Sequence, residues 1–397
     1  MTQTEMTNQP RIYFDHNASA PLLDCARTSM IELLDCAGNA SSVHFEGREA
    51  RKTVELTRRN LADLIDANPA NVIFTSGATE AANHVLSPKM RSGGQQLPVA
   101  RLYVSATEHP CILLGGRVAP EQTTILKVLE SGTIDLEALR HDLGNHDHTQ
   151  GLPLVSVQHA NNETGIIQPV LEVADIVHEH DGLLVVDAVQ SLGKLPFGMA
   201  DTGADFLIFS SHKIGGPQGA GALVLANGGI SPEPLVSGGG QESFHRGGTE
   251  NVAAIAGFGA ACEWHANNLT KNIKNFCLRD SIESGISTIS QESGNGLRQP
   301  VFFGKSENRL GNTSCFSVPG VRAETALVAL DLEGISVSSG SACSSGKVKR
   351  SHVLEAMGAK PEEMEGALRV SLGWTSTEEE ASRFLNVWKT IIGRLAN

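Results

Sequence analysis

Two side chains in this sequence have the chemistry of nucleophiles and lie where that chemistry could be used. Lys213 follows the apolar run Phe206-Leu207-Ile208-Phe209, two serines and a histidine, and the chain then turns glycine-rich. A run of that kind suits a strand buried on both faces of a sheet. A lysine just past its end can be partly desolvated, which lowers its pKa and frees the amine to form a Schiff base. Taken alone, a lysine at a strand end is more often a solvated loop charge. Cys343 sits in the tract Ser338-Ser339-Gly340-Ser341-Ala342-Cys343-Ser344-Ser345-Gly346. Residues so small bury little, so an exposed thiol is expected there, either reactive or incidental. The other six cysteines have apolar or helical neighbours and read as small buried hydrophobes.

Further groups qualify as their supports. Asn71–Thr75 reads as a strand running into Ser76-Gly77-Ala78-Thr79-Glu80, the opening of a helix. Free amides and the helix dipole at such a start suit an anion, and a plain N-cap fits too. Other strands deliver His109, Asn162, Asp187 with Gln190, and Ser210 with His212. A lone histidine after a strand is more often structural than catalytic, and Cys111 beside it reads as core. The glycine-dense loop 237–251 carries Arg246 and Thr249. Arg369, among apolar residues, calls for an anion, which a structural carboxylate or a substrate carboxylate would supply. The histidine-rich turn 141–148 reads as solvated surface, with metal binding the alternative.

Strands positioning these groups alternate with helices. Strands are expected at 102–105, 152–157, 182–186, 206–209 and 221–225, and helices at 24–34, 46–65, 170–180 and 252–265. That alternation predicts βαβ units and a mostly parallel sheet, whose ligands bind beyond the carboxyl ends of the strands. Groups far apart in sequence then converge. Near residue 265 the character changes to polar helix and short strands, predicting a large domain over 15–262 and a smaller α+β domain over 263–397. The first 14 residues are expected to pack on the smaller one. A chain of 397 residues has room for two cores.

Composition removes several classes of function. A net charge of −13 disfavours a phosphate backbone as partner, and 5% aromatic residues disfavour a base-stacking surface. No apolar segment approaches the ~18–20 residues that span a membrane, and the N-terminus lacks a signal core, so a cytoplasmic protein is expected. Seven cysteines, an odd number without a CxxC pair, disfavour a disulfide framework or closed zinc site.

A Schiff-base lysine, an anion-binding helix start and a strand-end aspartate together suit pyridoxal 5'-phosphate. The chain also resembles the class V aminotransferase-like cysteine desulfurases of the NifS/IscS type. The motifs carrying the resemblance are TSGATEAAN, TEHPCI, VQHANNETGIIQP, VVDAVQSLGKLP, SSHKIGGPQGAGAL, RGGTEN, SSGSACSSG and SHVLEAMG, in family order. The resemblance implies an α/β, fold type I transferase: a large domain with a mostly parallel seven-stranded sheet flanked by helices, and a small α+β C-terminal domain. It implies removal of sulfur from L-cysteine to give L-alanine and a persulfide on Cys343, passed to an iron–sulfur scaffold or another acceptor protein.

Carried over by resemblance, Lys213 is the Schiff-base lysine and Asp187 faces the pyridinium nitrogen. Gln190 bonds the phenolic oxygen, while His109 stacks on the ring and shuttles protons. Ala78, Thr79, Ser210 and His212 hold the phosphate, with Thr249 supplied by the partner subunit of a homodimer. Asn162 and Arg369 contact the substrate carboxylate. No metal site is expected beyond transient contact of Cys343 with an iron–sulfur cluster. Departures from the family pattern are His16, Ser19, Ser211, Ser243 and the basic run Lys347–Arg350. None removes a catalytic group, and the last two fall where loop and partner contacts are expected. Related chemistries on the same scaffold, such as selenocysteine lyase, C–S lyase or aminotransferase, would not need Cys343. A carrier subunit without cofactor is the reading from another class.

Overall fold

A computed structural model describes residues 10–269, 273–292, 299–339 and 350–395. The chain divides into two compact units. One comprises Ser19–Asn162 with Ile166–Leu269, and the other the described parts of Met1–Ala18, Glu163–Gly165 and Thr270–Asn397.

Seven strands organise the first unit: β1 (Val72–Thr75), β2 (Gln95–Ser105), β3 (Thr123–Leu126), β4 (Leu152–Gln158), β5 (Leu183–Asp187), β6 (Phe206–Ser210) and β7 (Gly221–Leu225). Their spatial order is β3-β2-β4-β5-β6-β7-β1. The pairings from β3 through β6 are parallel, and β6–β7 and β7–β1 are antiparallel. Two short antiparallel strands, Lys89–Ser92 and Ile230–Pro232, extend the sheet beside the start of β2. Every residue of β5, β6 and β7 is buried, which is why these segments read as continuous apolar runs rather than alternating ones.

One face of the sheet, with Ile73, Leu154, Val185, Ile208 and Leu223, packs against Ala81, Ala82, Val85 and Leu86 of the segment opening after β1. Each buried Val, Leu or Ile side chain among them contributes about 1.5–3 kcal/mol by leaving water. The helix Val252–Ala266 packs against Asp24–Leu34 and Phe45–Leu64. Its small residues permit close approach: a Cβ on Gly259 would stand 2.4 Å from Thr57 Oγ1.

The second unit is built on an antiparallel sheet ordered Val301–Phe302, Thr313–Ser317, Leu368–Ser371, Ser338–Ser339. Ile12–Tyr13 pairs in parallel with Ile335–Ser336. Helices Ile273–Glu292, Ala323–Leu332 and Glu378–Leu395 belong to this unit. Phe14, Phe316, Phe384 and Trp388 form the aromatic centre of its core, with Phe316 edge-on to Trp388 at 5.5 Å. Beside that core, Arg309 forks onto Glu283 (2.9 and 3.3 Å), and both side chains are more than nine-tenths buried.

Three expectations are corrected. Lys89–Ser92, Thr123–Leu126 and Ile230–Pro232 are strands that the apolar pattern does not reveal, because strands at or near a sheet edge bury little of their surface. The cysteines are not mostly core: Cys25, Cys36 and Cys277 are exposed, and only Cys262 and Cys315 are buried among the described residues. Helical position places Cys25 and Cys277 on solvent-facing sides despite apolar neighbours, and Cys36 lies in an exposed bend just past helix Asp24–Leu34. Cys111, expected in the core, is partly exposed. Cys343 lies outside the described residues. Among the described residues no helix is long and apolar enough to cross a membrane.

Candidate active site

Strand direction brings the chemistry-bearing groups of the first unit to one edge. Parallel β2, β4, β5 and β6 all end there, as does β1, while β7, running the other way, begins there. Gln158 pairs with Asp187, and Ser210 and Thr75 both pair with Gly221. The segments 76–79, 105–109, 158–162, 187–190 and 210–213 therefore leave the sheet side by side. This is the convergence expected from the alternation of strands and helices.

At β1 the chain makes a tight exit. Thr75 Oγ1 donates to Gly77 O at 3.0 Å, and Gly77, at φ 157°, precedes helix Ala78–Val85 without a side-chain cap. A Cβ on Gly221 would stand 2.6 Å from Gly77 Cα, so the close crossing of the two backbones admits only glycine. The start of the helix, at Ala78 and Thr79, thus keeps its amides for an anion rather than for a capping side chain.

A buried acidic pair lies beneath. Asp187 is enclosed at the end of β5, with Oδ1 accepting the Val189 amide at 2.9 Å. Burial raises its carboxyl pKa to about 6, against the opposing pull of that amide and of the Lys213 charge. Glu108, fully buried before His109, is pushed well above the carboxylate range by burial and then by the Asp187 charge. Lys213 ends the turn Ser211–Lys213 directly after β6. Its neighbour His212 is held down to about 4 by burial and by the Lys213 charge, and its Nδ1 stands 3.2 Å from Ser19 Oγ.

His109 precedes the short helix Pro110–Leu113 and its Nδ1 accepts the Cys111 amide at 3.2 Å. An amide can only donate, so the neutral ring carries its proton on Nε2. The Cys111 thiol lies 3.0 Å from the same nitrogen, and burial pushes that thiol up to about 12. Gln190 is buried, with Oε1 accepting from Lys194 Nζ at 2.6 Å, which turns the amide NH₂ away from Lys194. Gln158 Nε2 donates to Thr107 Oγ1 at 2.8 Å and Asn161 Nδ2 to Thr107 O at 3.0 Å, tying the exits of β2 and β4 together beside Asn162.

Thr249 is exposed and lines a cleft with Phe74, Thr75, Ser76, Gly219 and Arg246. In the second unit Arg369 is buried on strand Leu368–Ser371 and pairs with Asp15 at 2.7 Å. A structural carboxylate is therefore present. Glu163, also in that unit, is raised to about 7 by burial, with the Ser351 hydroxyl (2.5 Å) and the Arg369 charge pulling it down.

Sequence reasoning missed Glu108 and two long-range pairings, Arg58 with Glu242 and Arg246 with Glu80. Glu108 was passed over beside His109, although a carboxylate between two strand-end polar residues was its visible signal. Arg58 forks onto Glu242 at 2.9 and 2.9 Å, and Glu242 also accepts the Phe74 amide at 2.9 Å. The one signal for Arg58 was its position on the apolar stripe of helix Phe45–Leu64. Arg246 pairs with Glu80 (2.9 Å), which no local pattern announces. His44 caps helix Phe45–Leu64, its Nδ1 accepting the Gly47 amide at 3.3 Å. In the histidine-rich turn, His146 contacts Tyr103 Oη (3.1 Å) and Gly151 O (3.0 Å).

The family model for aminotransferase class-V matches residues 12–384. The chain belongs to the class-V aminotransferase family. Among relatives of this class-V chain, "Cysteine desulfurase IscS" of Dictyoglomus turgidum is 36% identical over 393 residues, covering 97% of the chain and 95% of that protein. "Cysteine desulfurase IscS 1" of Archaeoglobus fulgidus is 36% identical over 389 residues, covering 96% and 97%. The NifS-like protein from Rickettsia africae superposes with a TM-score of 0.81 at 31% identity, over 96% of this chain and 99% of that one. The fold class and the family resemblance read from the sequence are thereby borne out.

Class-V enzymes depend on pyridoxal 5'-phosphate, and the residues present fit that group. A buried carboxylate held at about 6 is a site for a protonated ring nitrogen, which would favour its ionised form. An uncapped helix start whose backbone crossing excludes a Cβ is a cradle for phosphate.

Proposed function

We propose that this class-V chain is a cysteine desulfurase: it takes sulfur from L-cysteine, releases L-alanine and carries the sulfur as a persulfide on Cys343. The observation that carries the reading is similarity along 97% of the chain to a protein named cysteine desulfurase, with Lys213 and Asp187 at adjacent strand ends. Pyridoxal 5'-phosphate, when bound, supplies an electron sink that lets the substrate's C–S bond break.

The chain's own residues do the rest. Lys213 anchors the cofactor and Asp187 holds a proton on its ring nitrogen. The Gln190 amide, oriented by Lys194, donates to the phenolic oxygen. Ala78, Thr79, Ser210 and His212 hold the phosphate, with Thr249 from the partner of a homodimer. His109 stacks on the ring and moves protons at Nε2, the nitrogen left by the Cys111 contact. Asn162 and Arg369 take the substrate carboxylate, Arg369 retaining Asp15 as its structural partner. The Cys343 thiolate bonds to the substrate sulfur as the C–S bond breaks. The electron pair stays with the carbon, which gains a proton to become alanine. The persulfide then passes to an acceptor such as an iron–sulfur scaffold protein.

The test supplies L-cysteine to the purified protein and measures alanine together with one added sulfur on Cys343. Undiminished sulfide and alanine release from Cys343→Ala would replace the desulfurase reading with a lyase. A protein lacking the visible band of a lysine-bound cofactor would point to a carrier subunit.

A further inference from the structure

The helix start assigned to phosphate carries an acidic residue that ought to oppose it. Glu80 lies in the first turn of helix Ala78–Val85, where a carboxylate competes with a bound anion for the positive end of the helix and repels it. In this chain that carboxylate is already engaged. Arg246 Nε donates to Oε1 at 2.9 Å and Nη2 to Oε2 at 3.3 Å, and the Ser76 amide donates to Oε2 at 2.8 Å. The Glu80 side chain is 13% exposed and that of Arg246 23%, so solvent screens the pair only in part. Burial would raise the pKa of Glu80, but the hydrogen bonds from Arg246 and Ser76 outweigh it and keep the group ionised. The charge is therefore present and needs a counter-charge.

Arg246 is itself fixed in place. The turn before it holds three consecutive non-glycine residues in the left-handed region: Glu242 (φ 45°), Ser243 (φ 53°) and Phe244 (φ 68°). Such a conformation is strained for residues with a Cβ and persists only when the surroundings enforce it. Here Glu242 enforces it, through the Arg58 fork and the Phe74 amide, and Gly247 N donates to Val236 O at 2.8 Å just beyond.

We propose that Arg246 is a positioning and charge-masking residue. By neutralising Glu80 and holding it against the Ser76 amide, it lets the start of helix Ala78–Val85 accept a phosphate monoester dianion. The proposal rests on the cofactor reading above and deepens it: the phosphate subsite works only while an acidic side chain inside it is masked.

Full-length protein stripped of cofactor is titrated with pyridoxal 5'-phosphate and with pyridoxal, following absorbance, as wild type, R246Q, R246K, E80Q and E80Q/R246Q. In R246Q the Kd for pyridoxal 5'-phosphate rises roughly tenfold to fiftyfold while that for pyridoxal changes by about twofold or less, since the exposed like charge acts on the phosphate alone. E80Q binds at least as tightly as wild type, E80Q/R246Q recovers most of the loss, and R246K, which keeps the charge, retains most of the affinity. Equal weakening of both vitamers by R246Q, a loss in E80Q matching that in R246Q, or a double variant no better than R246Q overturns the proposal. Wild-type protein that binds neither vitamer removes the cofactor reading itself, and this proposal with it.

Discussion

Replacing Asp187 with asparagine should stabilise the cofactor-free protein at neutral pH, and the size of the effect follows from its burial. The folded carboxyl has a pKa of about 6 against an ordinary 3.8, because burial penalises the charge more than the Val189 amide and Lys213 favour it. That difference corresponds to about 3 kcal/mol. The folded state binds the extra proton, so this stability is fully present below pH 3.8 and is lost as pH rises through about 6. Roughly half of the loss falls between about pH 5 and 7.5. Histidines 84, 159, 212 and 265, each held down to about 4 by burial, act in the opposite sense: their contribution is present above their unfolded pKa and is lost as pH falls. The difference between wild type and D187N cancels them. Urea unfolding of cofactor-free protein, followed by far-UV circular dichroism, should give wild-type stability falling relative to D187N across that interval. Cofactor should flatten the wild-type profile, because a pyridinium partner favours the ionised carboxylate. Parallel profiles for the two cofactor-free proteins would refute the reasoning.

Two further outcomes test the packing. Arg309→Met leaves the Glu283 carboxylate buried without its partner and should cost about 3–5 kcal/mol by urea unfolding, while R309M/E283L should regain most of it; equal losses in single and double variants would argue against the pair. Gly221→Ala puts a Cβ 2.6 Å from Gly77 Cα, so it should weaken pyridoxal 5'-phosphate binding far more than Ala222→Gly, which removes a methyl from the next residue of β7. Similar affinities for the two would mean that the crossing is not tight.

Much of the site was legible in the sequence because its groups sit at strand ends, and buried strands announce themselves. The helix Asp24–Leu34 and the strand Gly221–Leu225 fall where residue pattern alone puts them. What stayed hidden depends on long-range pairing. Nothing near Glu242 says that Arg58 lies opposite, nor does the neighbourhood of Glu80 point to Arg246, 166 positions away. Thiol exposure was misjudged for a related reason. Apolar neighbours in sequence do not fix which side of a helix faces solvent, so Cys25 and Cys277 are exposed.

The order of the sheet also has a consequence for how the chain is made. Among the described residues, strand β1 joins the sheet only through β7, whose residues follow about 150 positions later. Phe14 lies in a core that also needs Phe384 and Trp388. A ribosome adds roughly 5–20 residues each second, so both the phosphate cradle and the second unit must wait while most of the polypeptide emerges. During that interval Phe14 lacks Phe384 and Trp388, and β1 lacks the strand it pairs with. The nascent chain is then most exposed to chaperones and to aggregation, and slowing translation between β1 and β7 should lower the yield of folded protein.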